Sequence, residues 1–142
     1  MSNVPPDIRD RVYDLALAIT NASEAGDDVL RDSLTQTLRA FYEEQVTLGR
    51  SHPFLTETLA DYTSINDPTE AVGLYQLAIE QERAFPDEPM HTKMICLAEH
   101  LIELGRLELA EAYLRDERAE AVRLNDEFWV EEADRLFREL AS

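Results

Sequence analysis

Cys96 and His100 stand four residues apart in "MICLAEHLIEL", with Glu99 between them and His91 shortly before. Thiol, imidazole and carboxylate are the donor types that hold zinc, and a helix aims positions i and i+4 the same way. One isolated pair still lacks the third and fourth ligands of a zinc site. Cys96 therefore reads as a small buried hydrophobe. His52, in "RSHP", reads as part of its turn. Asp27-Asp28 reads as a helix cap, because no calcium-loop spacing follows it. Neither a glycine-rich phosphate loop nor a nucleophile elbow occurs. The expectation is a protein with no catalytic residues, no metal and no cofactor.

The carboxylates point elsewhere. From Ser51 to Glu82 there is no Lys or Arg, yet Glu57, Asp61, Asp67, Glu70, Glu80 and Glu82 are present. Ordinary surfaces mix their charges, because unpaired like charges repel. A stretch of one sign is explained if another chain supplies the other sign. The whole chain leans the same way, with 30 acids against 13 bases and a formal charge of −17. Such a field repels nucleic acid and anionic membrane faces and attracts basic partners, although solubility alone would also account for it. Lys93 is the only lysine, beside twelve arginines, and carries no mechanistic reading.

A length of 142 residues suits a single domain, and a hydrophobic fraction of 44% suits a packed one. Cys96 has no partner cysteine, so no internal disulfide forms. The opening "MSNVPPDIRD" has no apolar signal core, and no run approaches the ~20 apolar residues of a membrane span. A cytoplasmic protein is expected.

Positioning these groups falls to helices. Apolar residues recur with a period near 3.6, as in Val12, Leu15, Ala16, Ile19 and Ala22, or Met94, Leu97, Ala98 and Leu101. Seven such stripes follow one another, each covering one side of its helix, so each must bury against neighbours. Asp67-Pro68-Thr69-Glu70 orders a cap acid, Pro at N1 and Glu at N3, while Ser51-His52-Pro53 and Asp87-Glu88-Pro89 are similar start signals. Gly26, Gly49 and Gly105 stand where helices should stop. Short connections make sequential helices pack as antiparallel hairpins. "LADYTSINDPTEAVGLYQLA" overlays "LAEHLIELGRLELAEAYLRDE" with one residue missing, a period of about 38 residues that falls among helical repeats.

Those residues resemble the tetratricopeptide repeat. Leu-Ala is followed by a loop and then by Ala71, Tyr75 and Ala78 at small, aromatic and small positions. "RAFYEEQVTLGRSHP" is similar to the linker of kinesin-light-chain-type repeats, and "PDEPMH" is a looser version. The third copy departs from the pattern with Leu114 and Glu117 at the aromatic and second small positions. The resemblance covers Leu30 to about Leu124. It implies an all-α, right-handed stack of three antiparallel hairpins, Asp7–Gly49, Pro53–Ala84 and Pro89–Leu124. A capping helix, Asp126–Leu140, would cover the last unit, with Trp129, Leu136 and Leu140 inward and Glu131, Glu132 and Arg135 outward.

In that architecture the first helix of each hairpin lines a concave groove. If Leu15, Leu59 and Leu97 share one position, the groove presents Tyr13, Asp14, Leu17 and Asn21, then Glu57, Asp61 and Ser64, then Ile95, Glu99 and Glu103. Repeat grooves that clamp acidic peptide tails need inward Lys, Arg and Asn, and the matching positions here are acidic or neutral. The resemblance therefore implies an interaction module whose acidic groove takes a basic protein or peptide, as an adaptor or an immunity-type protein against a cationic effector would. Two alternatives stay open. One is a secretion-type chaperone that holds an unfolded apolar segment. The other is a self-assembling module, forming a homodimer through Val12–Ile19 or Phe128.

Overall fold

The computed structural model describes residues 4–142, so the first three residues of the opening segment lie outside it. The described residues form seven helices and no strand: α1 Pro6–Glu24, α2 Asp28–Thr47, α3 Pro53–Thr63, α4 Pro68–Ala84, α5 Met90–Glu103, α6 Leu107–Arg123 and α7 Glu127–Ala141. No helix is long and apolar enough to cross a membrane among the described residues.

Local chemistry explains most boundaries. The carboxylates of Asp27 and Asp67 accept from the amides of Leu30 and Glu70, each at 3.0 Å, satisfying donors that the first helical turn leaves free. His52 caps α3 with a ring nitrogen instead, Nδ1 accepting from the Phe54 amide at 3.0 Å. α1, α2, α5 and α6 end alike, with one residue at positive φ: Gly26, Gly49, Gly105 and Asn125. The next amide then reaches back to a carbonyl five residues earlier, as in Arg106 to Leu101 at 2.8 Å and Asp126 to Ala121 at 2.9 Å. The Asp87-Glu88-Pro89 signal works differently. α5 has no side-chain cap, and the amides of Asp87 and Glu88 are taken by the Glu82 carboxylate from the end of α4.

The three-to-five-residue turns fold each helix back on its predecessor. Every helix packs against its neighbours in sequence, and α1 also touches α3 while α5 touches α7. Two apolar clusters result. One holds Ile8, Val12, Leu15, Ile19, Leu38, Leu55 and Leu59. The other runs from Ala60 and Tyr75 through Leu97, Leu101 and Leu114 to Ala133 and Leu136. Leu74 of α4 packs against both, so the interior is continuous. α7 supplies Ala133 and Leu136 to that interior, with Trp129 and Leu140 partly buried against it. Phe128, by contrast, is 63% exposed.

Candidate functional site

The helix faces of α3 and α5 meet in a cluster of ionisable groups. α3 contributes Glu57 and Asp61, one turn apart, and α5 contributes Lys93, Cys96, Glu99 and His100. Lys93 is 1% exposed, and its Nζ lies 2.9 Å from Glu57, 3.5 Å from Glu88 and 3.7 Å from Glu82. A buried ammonium is costly by itself, so these three acids are what keep it charged. Burial lowers its proton affinity, but the Glu57, Glu88 and Glu82 carboxylates together more than offset that and the Lys93 pKa ends raised. Burial also raises Glu57 above the usual carboxylate range, with Lys93 opposing the rise.

Asp61 has a different environment. Its outer edge is open to solvent, yet the surrounding helices crowd its carboxylate, and the Tyr75 hydroxyl donates to Oδ1 from within the core. Loss of water is the main cause that pushes Asp61 up to about 7; the Tyr75 bond opposes the rise, and Glu57 and Glu99 add to it. Water at the open edge limits that rise. The Tyr75 ring stacks on His100 at 5.2 Å, and burial moves its hydroxyl pKa far upward. Burial and the same three carboxylates likewise hold the Cys96 thiol protonated well above its ordinary range. This thiol is a poor nucleophile and a poor metal ligand. Among the described residues no group of three His, Cys, Asp or Glu side chains is arranged to hold a metal ion.

Arg135 of α7 closes the cluster. Its guanidinium pairs with Glu99 of α5 as well as with Glu132 at 2.9 Å and Glu139 at 2.8 Å on its own helix. The expectation that Arg135 simply faces outward is corrected here, because it binds Glu99 across the α5–α7 junction while Glu132 pairs with it on the same helix. Within the base-free stretch, three acids draw their counter-charges from this chain, Arg39 of α2 pairing with Glu70 and Lys93 of α5 with Glu57 and Glu82. Sequence distance hides such pairs, since 31 residues separate Arg39 from Glu70.

The predicted groove residues divide accordingly. Glu57, Asp61 and Glu99 come together. Glu103 is exposed and pairs with His100 Nδ1 at 3.2 Å, and Ser64 turns back to donate to the Asp61 carbonyl at 2.8 Å. Tyr13 and Leu17 are 58% and 63% exposed, and the Tyr13 ring meets Phe54 of α3 edge-on at 5.8 Å. Asp14 and Asn21 are exposed on α1. Ile95 is a correction: it is 1% exposed and belongs to the core, because α5 is walled on more than one side by α4, α6 and α7. Lys93, Arg135 and the Tyr75 hydroxyl went unpredicted. A single lysine in an arginine-rich chain was the one available signal for Lys93.

No family model matches the chain, and neither a curated protein nor a solved structure matches it.

Proposed function

We propose that the seven helices are three tetratricopeptide-like hairpins with a covering helix, and that the face shared by α1, α3 and α5 binds a basic, partly apolar protein segment without catalysis. The repeated helix endings and the packing of α1 on α3 and α5 on α7 support the repeat reading. One observation carries the ligand class. Glu57 and Glu99 already hold internal cations, whereas accessible Asp61 between them holds only a hydroxyl. An incoming ammonium or guanidinium would find there a carboxylate with no ion-pair partner among the described residues, reached from its solvent edge, and exposed Tyr13 and Leu17 would offer an apolar side chain a place on α1. A cytoplasmic adaptor, or an immunity-type protein neutralising a cationic effector, fits this chemistry.

The test is fluorescence anisotropy with a labelled Arg/Lys-rich peptide carrying Leu and Phe, against the same peptide with Glu for each base. Binding of the basic peptide alone, weakening as salt rises, is expected. Equal binding of both peptides sinks the proposal. The second reading, a chaperone for unfolded segments, is favoured by the exposure of Tyr13, Leu17 and Phe85. It requires affinity that salt does not change.

A further inference from the structure

The turns before α3, α5 and α7 are each tied to the start of the helix two places earlier. Before α3, Arg50 Nη2 donates to both oxygens of Asp7, at the start of α1, at 2.7 and 2.9 Å. Before α5, Asp87 pairs at 2.9 Å with Nε2 of His52, at the start of α3. Before α7, Asp126 pairs at 2.7 Å with Nε2 of His91, at the start of α5. The two histidine ties each span 35 residues. His91 follows His52 by 39 residues, and Asp126 follows Asp87 by the same 39, so the second tie is a displaced copy of the first.

Their surroundings differ. The arginine tie is open to water, with side chains 38% and 64% accessible. At the middle tie His52 and Asp87 are 14% and 7% accessible, and at the last His91 is 2% and Asp126 32%. Nδ1 of His52 is occupied by the Phe54 amide, which leaves Nε2–H to donate to Asp87. Nδ1 of His91 is buried without a partner, so that ring's only polar anchor is Asp126.

We infer that these side-chain pairs are a repeated junction device that makes neighbouring helix pairs unfold together, strong at the two histidine junctions and weak at the arginine one. Apolar contact between helix pairs is non-directional and permits sliding, whereas a charge-assisted bond shielded from water fixes one register. In an array whose units touch only their neighbours, such interface terms decide whether it opens as a whole or by parts. The inference does not depend on what the α1–α3–α5 face binds.

Three double-mutant cycles in urea test it: Asp7→Asn with Arg50→Gln, His52→Asn with Asp87→Ala, and His91→Leu with Asp126→Ala. Asn at 52 can still cap α3 but is too short to reach Asp87, so the tie is separated from the cap. Coupling of about tenfold in the unfolding equilibrium constant is expected at each histidine junction. Less than about twofold, vanishing in high salt, is expected at the arginine junction. Native-state hydrogen exchange supplies a readout that a merely local contact would not move. With the last tie cut, the α7 amides should open at least about tenfold more readily than those of α5, while in the parent protein they open together. Should the His91→Leu protein fail to fold, Asp126→Asn keeps an acceptor and should give the same α7-specific pattern at smaller amplitude. Coupling below twofold at both histidine junctions, or exchange that changes evenly along all seven helices, overturns the inference.

Discussion

Replacing Lys93 by methionine should remove a large share of this protein's stability, by an amount that depends on pH. The side chain is similar in length and stays apolar along its stem, so packing changes little. What disappears is the cation facing Glu57, Glu82 and Glu88 at 2.9, 3.7 and 3.5 Å. Removing one partner of a buried ion pair costs about 3–5 kcal/mol, because the other charge is left without compensation. Glu57 and Glu88 keep 19% and 22% of their side-chain surface, so some hydration returns to them. Glu82, at 2% accessibility, regains almost none, although the amides of Asp87 and Glu88 still bind its Oε2. The lower end of the range, about 3 kcal/mol, is therefore expected at pH 7.5, against a total of about 5–15 kcal/mol for such a domain.

The pH dependence has a definite sign. Without Lys93 the folded-state pKa of Glu57, already raised by burial, rises further. An acid whose folded pKa exceeds its unfolded one carries a penalty that is full above the folded pKa. The penalty fades as pH falls toward the unfolded value. The deficit of the Lys93→Met protein should thus shrink between pH 7.5 and pH 5. Urea unfolding followed by circular dichroism at both pH values measures it, and Lys93→Arg, which keeps the charge, should lose less. A deficit below 1 kcal/mol at pH 7.5, or one that pH does not change, would refute the claim that Lys93 is what permits these acids to be buried.

Asp61→Asn should flatten the stability profile on the alkaline side. Asp61, pushed up to about 7, penalises the fold above that pH and relieves it as pH falls toward about 4, and the amide has no such slope. Parallel urea titrations at pH 8 and pH 5 check this, and the same variant should bind the basic peptide more weakly. Gly105→Ala should cost about 1–2 kcal/mol, because φ is +76° and open space around the position leaves backbone strain as the only cost. A thermal midpoint lower by a few degrees would report that strain. Cys96 should react slowly with a disulfide reagent at pH 8 in the folded protein and quickly in urea, since burial holds the thiol protonated. Equal rates in the two states would contradict that assignment.

Much of the architecture was legible in the chain itself, for local reasons. Asp67-Pro68 and the "LGRSHP" turn announce helix starts because cap acceptors and Pro act within one turn of the backbone. Gly26, Gly49 and Gly105 announce helix ends because a positive φ is cheap only without a side chain. Asn125 does the same work at the end of α6, with a weaker sequence signal than glycine. The site was less legible. The repeat pattern puts Glu57, Asp61 and Glu99 on one groove as free charges, whereas Lys93, Tyr75 and Arg135 engage them.

The sequence by itself determined seven helices, the side-chain caps of α2, α3 and α4 and the apolar stripe of each helix, since these depend on residues no more than a few positions apart. Tertiary structure alone decided which carboxylates keep their water. It did so by burying Ile95 where α5 is enclosed by α4, α6 and α7, and by bringing Lys93 and Arg135 to acids 36 residues away in the chain. Burial and ion pairing depend on what surrounds a group in space, and no pattern along a single helix contains that.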